Sequence, residues 1–152
     1  MTIRAYVAIG ANLGDARATV TRAMQDLNGL PRTRVASRSS LYRSAPVDAG
    51  GPDFINAVVG LDTAMDAHAL LAALQRLELG AGRERPYRHA PRTLDLDLLR
   101  HGDAVIDTAT LTLPHPRIAQ RAFVLLPLAE IAPELVTPGQ LAQVADQRIE
   151  RL

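Results

Sequence analysis

Thr93-Leu94-Asp95-Leu96-Asp97-Leu98-Leu99 alternates apolar and polar residues with a period of two. Successive side chains of a β-strand point to opposite faces, so Leu94, Leu96 and Leu98 share one face while Asp95 and Asp97 share the other, about 7 Å apart along the chain. Such a strand buries one face and leaves the other available. The two carboxylates repel, and something positive has to compensate them, either arginine or a divalent cation. On its own, Asp-x-Asp is explained better by a solvated polar face of a two-layer sandwich.

Reading outward, Gly80-Ala81-Gly82-Arg83-Glu84-Arg85-Pro86-Tyr87-Arg88-His89-Ala90-Pro91 has no periodicity and predicts a long mobile loop feeding into this strand. Before it, Asp66 caps an amphipathic helix with Leu70, Leu71, Leu74 and Leu77 on one side, ending before Gly80. Residues 54–61 predict a strand, and residues 44–53, with two prolines, two glycines and two aspartates, an exposed loop able to close over a ligand. Residues 3–9 predict the first strand, residues 15–28 the first helix, and the alternation through residues 34–41 a weakly apolar second strand. Downstream, a turn at His101-Gly102-Asp103 leads to a return strand near residues 104–106, then to a helical stretch at 118–131 interrupted at Pro127. Residues 140–152 predict a last helix with Leu141, Val144 and Ile149 inward.

Strand, helix, strand, strand, helix, strand is the split βαβ order. It predicts an α+β fold, a ferredoxin-like two-layer sandwich with an added hairpin and C-terminal helices. That fold serves many activities and names none of them. A length of 152 residues with 47% apolar content predicts one compact domain over residues 1–152, with no room for a second fused enzyme. Neither a membrane-length apolar run nor a basic-then-apolar leader stands in the sequence, so a soluble, cytoplasmic protein with no membrane partner is expected.

The absence of cysteine excludes a disulfide framework, a thiolate metal site and a thiol nucleophile, leaving oxygen or imidazole as metal donors. All 17 basic residues are arginine, so a P-loop of the G-x-x-x-x-G-K-[ST] type is excluded by its missing lysine. A net charge of +1 predicts no general attraction to nucleic acid or acidic membranes.

Arg83, Arg85, Arg88 and Arg92 run straight into the Asp95–Asp97 strand, placing anion-binding cations beside cation-binding anions. A metal-bound polyphosphate needs that pairing: an all-oxygen site with few protein ligands suits magnesium, and arginines offset charge developing during transfer. A solvated basic loop on a charge-balanced surface is the bland alternative.

Arg88-His89-Ala90-Pro91-Arg92-Thr93-Leu94-Asp95-Leu96-Asp97-Leu98-Leu99 closely resembles the signature of the 6-hydroxymethyl-7,8-dihydropterin pyrophosphokinases: a basic residue, a small residue, Pro-Arg, two spacers, Asp-x-Asp and two aliphatics. The resemblance spans nearly the whole chain. Tyr6-Val7-Ala8-Ile9-Gly10-Ala11-Asn12-Leu13-Gly14 is similar to the family's first strand and loop, Ser40-Leu41-Tyr42-Arg43-Ser44-Ala45-Pro46 to its second and Asp53-Phe54-Ile55-Asn56-Ala57 to its third. Pro114-His115-Pro116-Arg117 and Arg121-Ala122-Phe123-Val124 follow in order.

The resemblance implies transfer of pyrophosphate from ATP to 6-hydroxymethyl-7,8-dihydropterin, giving AMP and the pterin pyrophosphate in folate biosynthesis. It implies Asp95 and Asp97 as ligands of two Mg2+ ions expected with ATP, and Arg83 and Arg92 as catalytic loop arginines. It implies Gln75, Glu78, Arg85, Leu98, Thr112, His115 and Arg121 as ATP-binding residues. Phe54 and Phe123 would stack on the pterin, with Asn56 and backbone groups of Ser44, Ala45 and Val47 at its edge; a flat heterocycle with a polar rim suits such a site. His89, Pro116 and Thr110 depart from residues common in the family. His68 and His101 are read as surface residues.

An RNA-binding module of the same fold is the first rival, but aromatics are only 3% of the chain and no strand carries a stacking platform. A catalytically silent small-molecule sensor is the second, and Asp95, Asp97 and Arg92 argue against it. A monomer is expected, since no coiled-coil pattern or long apolar face remains unassigned.

Overall fold

Asp15 and Asp66 each start a helix by accepting from a backbone N–H three residues on, Ala18 at 3.1 Å and Ala69 at 2.8 Å. In the computed structural model, which describes residues 1–46, 51–81 and 94–152, these helices are α1 (Ala16–Asn28) and α2 (Ala67–Gly80). The strands are β1 (Ile3–Ala11), β2 (Thr33–Arg38), β3 (Tyr42–Ser44), β4 (Phe54–Thr63), β5 (Asp95–His101), β6 (Ile106–Asp107), β7 (Thr112–Leu113) and β8 (Ile149–Arg151). Two further helices are α3 (Ala122–Ile131) and α4 (Pro138–Gln143).

The main sheet runs β5-β1-β4-β3-β8, with β2 also paired to β4, and every pairing is antiparallel. With α1 leading from β1 to β2 and α2 from β4 to β5, this is the expected ferredoxin-like order. Alternation decides which residues meet the helices. Val7 and Ile9 of β1, Val59 and Leu61 of β4, and Leu96 and Leu98 of β5 pack on Val20 and Leu27 of α1 and Leu70 and Leu74 of α2. The opposite face presents Tyr6, Ala8, Val58 and Leu99, and α3 covers these with Val124 and Leu128. Pro127, within α3, lacks the N–H that would bond the Phe123 carbonyl, yet it is buried in the helix without ending it. α3 covers part of this face; the rest floors the cavity described below.

Several expectations are corrected. The second strand, predicted over 34–41, breaks after Arg38. Ser39 takes over the pairing there: its N–H donates to the Val58 carbonyl and its hydroxyl accepts the Val58 N–H, both at 2.9 Å. A separate β3 then resumes against the start of β4. The return strand near 104–106 does not pair with β5. After the turn at Gly102, whose φ of 57° favours glycine, β6 pairs with β7 in a small sheet of its own. The outer edge of β5 is occupied otherwise: a Glu78 carboxylate oxygen accepts the Leu96 N–H, and the His115 N–H donates to the Leu99 carbonyl, each at 2.9 Å.

The stretch 118–131 is a 3₁₀ turn (Ile118–Gln120) and α3, separated by an extended Arg121 at φ −126°, ψ 111°. The last helix is cut to α4, held by a capping box between Thr137 and Gln140. Residues 149–151 become β8, completing the edge beside β3, with Arg43 Nη1 donating to Glu150 Oε1 at 2.9 Å. Val144 and Ile149 are five apart, outside the helical spacing of three or four, and the free edge of β3 is the better partner. Finally, His101 is no surface residue: it is 6% exposed, with Nε2 2.9 Å from the Met65 carbonyl oxygen. His68 is exposed as expected.

Candidate active site

On the α3 side of the sheet, adjacent strands place Asp95 opposite Gly10 and Asp97 opposite Ala8, while Gly10 also faces Asn56 across β4. These residues floor a cavity of about 680 Å³. Its walls are Ser44, Ala45 and Phe54 on one side and Arg117, Gln120, Arg121, Phe123 and Gln147 on the other. The carboxylates reach it because Leu96 and Leu98 turn into the core between them and α2. Gly10 keeps the floor low. A Cβ there would sit 3.3 Å from Asn56 Oδ1 and 3.9 Å from the Phe54 ring.

Two kinds of surface meet in this space. Phe54 and Phe123, both half-buried, line it together with Asn56, which is 3% exposed and donates through Nδ2 to Ser44 Oγ at 2.7 Å. These residues offer apolar ring faces and polar groups. Asp95 and Asp97 line the same cavity. Arg121 connects the two surfaces, with its guanidinium carbon 5.4 Å from the Phe123 ring centroid and Nη1 3.7 Å from Asp97 Oδ2. Arg121 reaches this position as the residue preceding α3, where the extended backbone ends the 3₁₀ turn.

Asp97 also lines a second cavity of about 290 Å³, bounded by Leu71, Leu98, Thr112, His115, Pro116 and residues 108–111. Burial, reinforced by Arg121 and Arg117 against the opposing charge of Asp97, holds the His115 imidazole below its usual pKa. The Arg117 N–H donates to His115 Nδ1 at 3.2 Å, so the neutral ring carries its proton on Nε2. His115 can therefore donate a hydrogen bond to an anion without itself being charged.

Of the residues singled out from the sequence, Asp95, Asp97, Arg121, Ser44, Ala45, Phe54, Asn56 and Phe123 line the main cavity, and Leu98, Thr112 and His115 the second. Gln75 is exposed on α2, and Glu78 is buried with its carboxylate on the β5 backbone; neither is among the lining residues of these cavities. Val47, Arg83, Arg85 and Arg92 lie outside the described residues, as does His89. Sequence reasoning gave no site role to Ala8, Ile9, Gly10, Arg117, Gln120 or Gln147. Gly10 had a signal in the Tyr6–Gly14 stretch that resembles the family's first strand and loop; Gln120 and Gln147 had none.

Among the described residues no cluster of three or more acidic or histidine side chains is poised to hold a metal by itself. Two carboxylates with open space before them fit an ion that keeps several positions for water and phosphate oxygen, as Mg2+ does, better than one needing a closed protein cage. No helix among the described residues is long and apolar enough to cross a membrane.

Fold and cavity together define a class: a small α+β sandwich with a cavity on one face of its sheet, lined by a carboxylate pair, arginines and two phenylalanines. Residues 6–133 match the family described as 7,8-dihydro-6-hydroxymethylpterin-pyrophosphokinase (HPPK), and the chain belongs to that family. It is 45% identical over 159 aligned positions to the 2-amino-4-hydroxy-6-hydroxymethyldihydropteridine pyrophosphokinase of Pseudomonas aeruginosa, covering 100% of this chain and 98% of the relative. The protein of the same name from Methylorubrum extorquens is 41% identical, with 98% of each chain covered. Among solved structures, an HPPK-DHPS in complex with substrates superposes with a TM-score of 0.67 at 14% identity, over 88% of this chain. This chain spans 41% of that longer one, and the likeness at such low identity concerns the fold.

Proposed function

We propose that this chain transfers the pyrophosphoryl group of ATP to the hydroxymethyl oxygen of 6-hydroxymethyl-7,8-dihydropterin, releasing AMP, as one step of folate biosynthesis. The observation that carries this reading is that a ring slot and a carboxylate pair share one cavity, with Arg121 against both Phe123 and Asp97. The pterin lies between Phe54 and Phe123, with Asn56 and the backbone of Ser44, Ala45 and Val47 at its rim. The triphosphate runs toward Asp95 and Asp97, and the adenosine end toward the second cavity at Leu98, Thr112 and His115. Gln75 and Arg85 complete the nucleotide contacts in this proposal.

The substrate hydroxyl attacks the β-phosphorus in line and loses its proton to solvent, the bond from that phosphorus to the oxygen bridging the α-phosphate breaks, and AMP leaves with that oxygen. No covalent enzyme intermediate is needed, so positioning and charge compensation do most of the work. Asp95 and Asp97 would hold two Mg2+ ions, which would supply charge neutralisation for the phosphates. Arg121 supplies fixed positive charge beside Asp97, and Arg83 and Arg92 assist the transfer itself. His115, neutral with its proton on Nε2, donates toward phosphate oxygen. We further infer a cytoplasmic monomer acting as a single domain.

The test is AMP formation from ATP with and without Mg2+ and with and without 6-hydroxymethyl-7,8-dihydropterin, with the pterin pyrophosphate detected by mass. AMP that depends on both is the expected result. Folded protein that binds both substrates but makes no AMP would favour a silent sensor.

A further inference from the structure

The stretch whose sequence predicts a helix instead brings Gln147 to the wall of the main cavity. Its carboxamide bridges the break between the 3₁₀ turn and α3. Oε1 accepts from the Ala122 N–H at 2.9 Å and Nε2 donates to the Gln120 carbonyl at 2.8 Å. The partners dictate the orientation of the amide, since an N–H requires its oxygen and a carbonyl its nitrogen.

The two bonds straddle Arg121. The backbone of Arg121 is held unevenly: its carbonyl accepts from the Val124 and Leu125 N–H groups at 3.1 and 3.0 Å, but it is extended, makes no side-chain cap, and its own N–H reaches the Ile118 carbonyl only at 3.4 Å. Ala122 would otherwise contribute one of the unsatisfied donors at a helix start. Two residues beyond Gln147, Ile149 pairs with Ser44 of β3. The segment 147–149 thus ties the α3 wall of the cavity to its β3 wall.

We propose that Gln147 is a positioning residue for pyrophosphoryl transfer, fixing the Gln120–Ala122 turn so that Arg121 stays toward Asp97 and Phe123 toward the ring slot. This rests on the reading of the cavity given above. Gln147 acts through the backbone it holds, and its removal loosens both substrate subsites together. A displacement on the order of 1 Å of groups that orient substrates is enough to cost a large factor in rate.

The test is steady-state kinetics of Q147A and Q147E, with D97A and F123A alongside. Q147A removes both bonds, whereas Q147E keeps the acceptor for Ala122 and turns a carboxylate oxygen toward the Gln120 carbonyl. KM for ATP and for the pterin is expected to rise about fivefold or more in both variants, with kcat down about tenfold. If Q147A fails to fold, Q147E decides. A purely structural role lowers only the folded fraction, and so the apparent kcat, with both KM values unchanged. That result, or wild-type kinetics in Q147E, overturns the proposal. Full turnover in D97A and F123A would instead overturn the cavity reading, and this proposal with it; loss of function in those two beside wild-type KM in the Gln147 variants sinks the positioning role alone.

Discussion

The two faces of the sheet are made by alternate residues of the same strands, and they have opposite fates. Toward α1 and α2, Val7, Ile9, Val59, Leu61, Leu96 and Leu98 form a continuous dry core. Toward α3, the intervening positions are Tyr6, Ala8 and Val58 where the helix lies, and Gly10, Asn56, Asp95 and Asp97 where it does not. A strand can serve both because its side chains separate by parity, so one-residue slippage of β5 would exchange leucines for aspartates. On the proposed reading, stability and chemistry are therefore written into the same seven residues of β5 and should be separable by mutation.

The sharpest separation is at β5 itself. Asp97→Ala should cut pterin-dependent AMP formation at least about a thousandfold, near 4 kcal/mol of transition-state stabilisation, with the thermal midpoint nearly unchanged. Retained turnover would break the division of faces. The converse is Leu74→Ala, beneath the helix face and fully buried. Denaturant unfolding should show a loss of about 2–5 kcal/mol, while kcat per folded molecule stays within about twofold. A comparable loss of kcat in the folded fraction would mean that the two faces are mechanically coupled.

Gly10→Ala tests the floor. A methyl 3.3 Å from Asn56 Oδ1 intrudes where we propose the pterin edge, and KM for the pterin should rise about tenfold with KM for ATP little changed. An equal rise for both substrates would relocate the pterin.

The smallest effect concerns the far end of the α3 face, where Glu130 accepts from the Ser40 N–H, the Ser40 hydroxyl and, at 2.8 Å, the Tyr42 hydroxyl. Burial first, and then its hydrogen bond to Glu130, push the Tyr42 phenol up to about 12. A group whose folded pKa is raised contributes stability that is complete below its unfolded value, near 10, and is lost as pH rises through about 12. Tyr42→Phe should therefore destabilise by about 1–2 kcal/mol at pH 8 and remove the phenol's share of the decline above pH 10, read from unfolding curves across that range. An unchanged alkaline decline would show that other groups cause it.

What the sequence disclosed follows from how local each signal is. Asp15 and Asp66 announce their helices within three residues, and Leu94 through Leu98 announces its own two faces. The placement of Asp95 and Asp97 on one cavity with Phe54, Asn56 and Phe123 was legible only through the family pattern, since no local rule brings residues 40 positions apart together. Residues 149–151 were misread because a strand that short exists only by virtue of a partner more than a hundred positions earlier. The break at Arg121, within the stretch 118–131 expected to be helical, is hidden for a similar reason: Gln147, which bonds both sides of it, lies 25 positions from Ala122. His101 looked like a surface turn residue because its partner, the Met65 carbonyl, is invisible from its neighbours.

The pairing of β8 with β3 has a consequence for the chain as it is being made. Arg43 and Glu150, which face each other across that pair, are 107 positions apart. At about 5–20 residues per second, β3 waits roughly 5–20 s at the ribosome before the segment that flanks it is synthesised. Until then the strand carrying Ser44 has a bare edge able to pair with other chains, and nascent protein is most open to misassembly in that interval.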